Sequence, residues 1–130
     1  MILGFKKQFV PKIQKRIKKH TMRTDAHNRW KVGMSIQMAT GVRTKNYNCF
    51  KEGICKHIQS VEIKWTKQNV GMANESKAVQ VFIDGRNVTN DSDTVDMLVK
   101  CDGFDSRKEF FEWFNESATY RLIHWTDLEY

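Results

Sequence analysis

The chain opens on an apolar run, Met1, Ile2, Leu3 and Phe5, which predicts a short buried strand over 1–5. Phe9, Ile13 and Ile17 follow at intervals of four and predict a helix over 9–18 with one apolar stripe. Pro11 is tolerated only in a first turn, so it marks the start of that helix. Lys12, Lys15, Arg16 and Lys19 fall off the stripe and face outward. Residues 24–33 are polar and turn-like and end in Gly33. Over 34–42, Met34, Ile36 and Met38 alternate with Ser35 and Gln37, the period of a strand. Residues 43–53, with Asn46 and Asn48, read as a loop or hairpin. Period two returns over 54–65, where Val61, Ile63 and Trp65 oppose Glu62 and Lys64. Residues 67–77 are polar and predict a loop. Val79, Val81 and Ile83 then predict a strand over 78–84, turned by Asp84-Gly85.

Two helices are expected in the last third. Val95, Leu98 and Val99 give 91–100 an apolar face, and Asp102-Gly103 stops it. Ser106-Arg107-Lys108-Glu109 has the form of a capping box, and Phe110, Phe111 and Phe114 behind it make a core stripe. Residues 119–125 alternate as a closing strand. Five to six strands with two to three flanking helices, not in β/α alternation, predict an α+β domain: a small mixed barrel or an open sheet. At 130 residues the chain fits one domain over 1–130 and can bury a core without covalent staples.

Composition adds a compartment and a partner class. Hydrophobic residues make up 40% of the chain, enough for a packed core, and no apolar run is long enough to span a bilayer. The apolar start precedes its lysines, the reverse of a secretory signal, so none is expected. Cys49, Cys55 and Cys101 are odd in number and read as reduced thiols in a cytoplasm. The net charge of +7 is concentrated: residues 1–32 hold ten Lys or Arg against Asp25 alone, a balance of +9, while the remainder balances at −2. Such a field favours an anionic partner, whether nucleic acid, nucleotide or phosphate, over a solvated helix face that merely keeps the chain soluble.

Within that segment, Lys18, Thr21 and Arg23 form a K-x-x-T-x-R pattern. A Thr hydroxyl becomes a nucleophile only with a base to take its proton, and Lys serves only if its pKa falls well below the usual value. Neighbouring cations supply one cause for such a fall, and a planar guanidinium at Arg23 can hold a carbonyl, a phosphate or a base edge. The structural alternative is a Thr that begins a turn or strand beside an Arg that pins the loop through Asp25.

The order strand, basic helix, K-x-x-x-x-R, then Arg29-Trp30-Lys31-Val32-Gly33 resembles the ASCH domain, a branch of the PUA-like barrels. Lys18 and Arg23 fill the Lys and Arg places of its Gly-x-Lys-x-x-x-x-Arg signature, and Arg16 stands where the signature has Gly. Asp102-Gly103-Phe104 before a Phe-rich helix and Leu122-Ile123-His124-Trp125 are also similar to such chains. The resemblance implies a small PUA-like mixed β-barrel with a cleft beside the first helix. It also implies binding of RNA or a modified nucleoside or nucleotide. One branch consists of small amidohydrolases that deacetylate N4-acetylcytidine with a Lys, a Thr and a carboxylate. Lys18 and Thr21 match the first two, and Asp102 is the nearest counterpart of the third.

Lys15, Lys19, Arg23, Arg29 and Trp30 are therefore the expected contacts of a binding cleft, with Lys18, Thr21 and Asp102 the expected catalytic set of the alternative. Tyr47 and Phe50 can also stack on a base. His20 either meets a ligand or faces solvent, whereas His124, Trp113 and Trp125 belong to the core. Cys49, Cys55 and His57 lack the spacing of a structural zinc site, so no metal is expected. No cofactor is expected; the lack of a phosphate-cradling glycine loop disfavours NTP hydrolysis, and there is no Ser-based nucleophile elbow. Three functions remain: a nucleotide- or RNA-binding module, an amidohydrolase acting on an acylated base, and an accessory protein that meets only other proteins.

Overall fold

A computed structural model describes residues 1–70 and 74–130, with side chains over 1–67 and 77–130. The chain is α+β. Its elements run β1 (Ile2–Gly4), a 3-10 turn (Lys7–Phe9), α1 (Val10–Gln14), β2 (His20–Arg23), β3 (Ser35–Thr40), β4 (Asn48–Ile54), β5 (His57–Val70), β6 (Asn74–Ile83), β7 (Arg86–Asn87), α2 (Ser92–Cys101), α3 (Arg107–Trp113) and β8 (Ala118–His124). Among the described residues these strands make two sheets, β1-β3-β4 and β2-β8-β5-β6-β7. In the first, β1 pairs parallel to β3; the second is antiparallel throughout. Strand pairing among the described residues does not close them into a ring.

The count of strands exceeds the expected five to six because β2, β4 and the two-residue β7 add to those expected, and two of the expected strands run longer than their apolar periodicity. Residues 48–53, expected in a loop or hairpin, form β4 with Ile54 and pair with β3. Residues 67–70 and 74–77, expected in a loop, continue the β5–β6 ladder from Lys67↔Lys77 to Val70↔Asn74, and 71–73 lie outside the described residues. Both stretches are rich in polar residues in the sequence, so backbone pairing sets their structure and periodicity misses it.

The core lies where the period was read correctly. Val61, Ile63, Val81, Ile83, Leu122 and Ile123 are buried on the larger sheet, and Ile36 and Met38 on the smaller. Val95, Leu98 and Val99 of α2 and Phe110 of α3 close over them. Burial of a side chain such as Phe110 contributes about 2–3 kcal/mol. Asp91 caps α2 by accepting from the Thr94 N–H. Ser106 caps α3 from Glu109 N–H, and Glu109 Oε2 reaches back to Asp105 N–H, one residue earlier than a reciprocal box requires.

The first helix is shorter than 9–18. It stops at Gln14, so Ile17 leaves the stripe and is 37% exposed. Two bonds show the cause: Ile17 N–H donates to Lys12 O at 2.8 Å and Arg16 N–H to Ile13 O at 3.1 Å. Together they form a Schellman motif, which places Arg16 at the left-handed position with φ +62°. Glycine is the usual occupant of that position. Arg16→Gly is therefore expected to stabilise the fold by about 0.5–1 kcal/mol, after subtraction of glycine's greater freedom in the unfolded chain. Urea denaturation checks this; a destabilised variant would contradict the left-handed turn.

Candidate functional site

The Schellman turn reverses the chain and delivers Lys18 to the end of α2. Lys19 N–H donates to Cys101 O at 2.7 Å and fixes the approach. Asp102 follows as the C-cap of α2, a position where the helix carbonyls disfavour an anion. Its partners offset this. The Lys18 ammonium donates to the Asp102 carbonyl and lies 3.7 Å from Oδ1, and His20 Nδ1 meets the same Oδ1 at 3.1 Å. Both members of the ion pair are buried, with 3% of Lys18 and 2% of Asp102 exposed. Gly103, at φ +99°, lets the Lys18 stem pass: a Cβ there would stand 2.9 Å from Lys18 Cδ and 3.0 Å from Phe9.

Strand β2 places Thr21 and Arg23 on the same side, two residues apart. Thr21 Oγ1 accepts from Arg23 Nε at 3.2 Å, and Arg23 Nη2 donates to Gly4 O at 2.6 Å. Phe5 faces two cations, with Lys18 Nζ 5.6 Å and the Arg23 guanidinium carbon 5.1 Å from its ring centre. Phe9 holds Lys18 from the other side at 5.0 Å.

These groups border a cavity of about 550 Å³. Phe5, Phe9, Phe104, Trp113, Phe114 and Tyr120 give it aromatic walls, while Lys18, Thr21, Arg23 and Asp102 give it a polar floor. Lys6 stands at its edge, 4.9 Å over the Trp113 ring. Burial pulls the Lys18 ammonium down to about 8; Asp102 opposes the fall and Arg23 adds to it. Burial also lowers His20, outweighing its bond to Asp102, so its imidazole is neutral at pH 7.

The cavity thus brings together Lys18, Thr21, Arg23 and Asp102. It does not include Lys15, Lys19, Arg29 or Trp30. Lys15 and Arg29 are exposed elsewhere, and Lys19 is half-buried. Trp30 is a core residue, 7% exposed, with its N–H on Asp25 and its carbonyl on Arg121. Asp25 pairs with Arg121 at 3.3 Å, so the expected Arg23–Asp25 pin is replaced by the Arg23 bonds to Gly4 and Thr21. His20 neither faces solvent nor lines the cavity; it is buried behind Asp102. Tyr47 is exposed away from the cavity, and Phe50 packs edge-on against Phe5.

Trp113 was assigned to the core by the aromatic run around it, yet it is 45% exposed at the cavity. The Phe110–Phe114 spacing of four marks the buried face, and Trp113 sits beside it against Phe9 and Phe104, each at 5.6 Å. Only knowledge of where Phe9 packs would have separated it from its neighbours.

All three cysteines are free thiols. Among the described residues, no group of three or more His, Cys, Asp or Glu is disposed to hold a metal ion, and no helix is long and apolar enough to cross a membrane. Comparison with family models, with curated proteins and with solved structures finds no match for this chain.

Proposed function

We propose that the cavity binds a single nucleobase or nucleoside, modified or carried on RNA. The observation behind this reading is the combination of aromatic walls with one charged, hydrogen-bonding floor. A base presents the matching surfaces: apolar faces that stack and an edge of donors and acceptors. Arg23 and Lys18 offer donors, Asp102 a carboxylate and Thr21 a hydroxyl. A volume of about 550 Å³ suits one small ligand. Exposed Lys6 and Lys7 lie between the cavity residues Phe5 and Phe9 and provide a field for an attached phosphate chain. The order of elements and the Lys18–Arg23 spacing support the ASCH, PUA-like assignment, with the two sheets as parts of one barrel. Unpaired thiols support a cytoplasmic setting.

A second reading, amide hydrolysis of an acylated base, is favoured by the low proton affinity of Lys18 beside the Thr21 hydroxyl. In that reaction neutral Lys18 takes the Thr21 proton, Oγ1 attacks the acyl carbonyl, and Arg23 holds the oxyanion. The amine of the base leaves with a proton returned by Lys18, and water then releases the acyl group from Thr21. The bonds within the cavity floor favour binding instead, since Thr21 Oγ1 accepts from Arg23 and Lys18 turns to Asp102. A cavity at Thr21, rather than a flat face, weighs against an accessory role through protein contacts alone.

One experiment separates the readings. Cytidine, N4-acetylcytidine and a short RNA are titrated at low salt while backbone amide signals are followed. Binding shifts the signals of Thr21, Gly103 and their neighbours, and Trp113→Ala weakens it by about 1–3 kcal/mol. Release of acetate from N4-acetylcytidine, abolished by Lys18→Ala and by Thr21→Ala, selects the hydrolase. No shift with any of the three ligands overturns the proposal.

A further inference from the structure

Behind the cavity floor lies a line of hydrogen bonds with one direction. His20 Nδ1 meets Asp102 Oδ1 at 3.1 Å, and His20 Nε2 meets the Tyr130 hydroxyl at 2.7 Å. His20 is completely buried. A neutral imidazole carries one N–H, and a carboxylate accepts only. Burial keeps the Tyr130 hydroxyl protonated and able to donate. One assignment satisfies every atom: Tyr130 donates to Nε2, and Nδ1–H donates to Asp102. The other tautomer would set a lone pair against the carboxylate, a clash that remains even if the Tyr130 hydroxyl turns its proton to the Cys101 thiol.

Tyr130 is itself anchored. Its N–H donates to Gln59 Oε1 at 2.9 Å, and its carbonyl accepts from Gln59 Nε2 at 2.8 Å. Gln59 Oε1 also meets His124 Nε2 at 3.1 Å. Strand β5 thereby carries Tyr130 to β2. The groups facing His20 are Asp102, Tyr130 and the His124 ring, 5.0 Å away between centres, with Lys18 beyond Asp102 and the Cys101 thiol against the Tyr130 hydroxyl.

We propose that His20 and Tyr130 are positioning residues of the cavity: Tyr130 buttresses His20 in its Nδ1–H tautomer, and His20 orients and partly neutralises the Asp102 carboxylate beneath Lys18. A carboxylate that already accepts from His20 holds the Lys18 proton less firmly, because its charge is shared between two donors. The relay then sets how readily Lys18 gives up a proton to a ligand or receives one. That consequence rests on the cavity being a ligand site; the tautomer and the orientation do not.

The test is read by NMR without any ligand. Imidazole 15N shifts of the full chain should show His20 protonated at Nδ1 and bare at Nε2. The Lys18 side chain should titrate near 8 in the wild type. In His20→Phe, which keeps the volume and removes both bonds, that titration moves up by roughly one unit. In Tyr130→Phe it moves up by a smaller amount, roughly a few tenths of a unit, as His20 becomes a weaker donor. A role confined to packing would lower the melting temperature and leave the Lys18 titration in place. His20 protonated at Nε2, or a Lys18 titration unmoved in Tyr130→Phe and in any folded His20→Phe, overturns the relay. If His20→Phe fails to fold, the tautomer and Tyr130→Phe still decide. Failure of all nucleoside binding with the relay intact would count against the proposed function alone.

Discussion

Asp102→Asn should lower folding stability by about 3–4 kcal/mol near pH 5, and by only about 1–2 kcal/mol at pH 7, where Lys18, which titrates at about 8, can shed its proton instead. The substitution keeps shape, and an Asn oxygen still accepts from His20, so the change isolates the negative charge. What it leaves behind is a Lys18 ammonium with 3% of its surface exposed and no counter-ion. Its remaining partners are the carbonyl of residue 102 and the faces of Phe5 and Phe9. Cation–π contacts of this kind contribute about 1–2 kcal/mol and do not replace an ion pair. Adding Lys18→Met to Asp102→Asn removes the stranded charge, and the double variant should recover most of the loss, because replacing both members of a buried pair is often nearly neutral. Guanidinium denaturation of the four proteins near pH 5, where Lys18 keeps its proton, gives the coupling directly. A single variant within about 1 kcal/mol of wild type, or a double variant less stable than Asp102→Asn, would show that the pair is not what holds the floor together.

The cavity floor was half legible in the sequence, and the division has a physical basis. Lys18, Thr21 and Arg23 are close along the chain, and a short strand brings alternate residues to one side, so spacing alone could group Thr21 with Arg23. Asp102 is distant in sequence, and only its place before a Phe-rich helix suggested it. His20 and Tyr130 carry no such signal. They meet because β2, β8 and β5 lie side by side, with His20 opposite His124 and His124 opposite His57. Cross-strand register of that kind is not written in local periodicity.

Charge misled in one respect. The basic segment was read as one cleft, whereas the chain reverses at Arg16, leaving Lys15 and Arg16 exposed while Lys18 is buried. The two kinds of lysine look alike in composition. The Schellman turn separates them, and its usual sequence mark, glycine, is missing at 16. In the same way Trp30 stood among cations like a stacking residue, but the fold spends it on the core and offers Trp113 to the cavity.

Raising the pH from 7 to 10 should stabilise the wild type relative to Lys18→Met by about 2–3 kcal/mol. The sign follows from proton binding. Lys18 titrates at about 8 in the folded protein and near 10.5 when unfolded, so between those values the unfolded chain holds more protons. Stability therefore rises with pH across that window: the penalty for a buried ammonium is present in full below 8, declines through the window and is gone above 10.5. Other groups titrate there as well, but they are common to both proteins and cancel in the difference. Urea denaturation at matched ionic strength from pH 7 to 10 measures it. A difference that stays flat means Lys18 has an ordinary proton affinity; one that changes in the opposite direction means Asp102 outweighs burial. Either result would also remove the base from the hydrolytic reading, since only a lysine that is partly neutral near pH 8 can take the Thr21 proton. Retained nucleoside binding in those circumstances would leave the cavity as a recognition site, with Lys18 as a fixed cation on its floor.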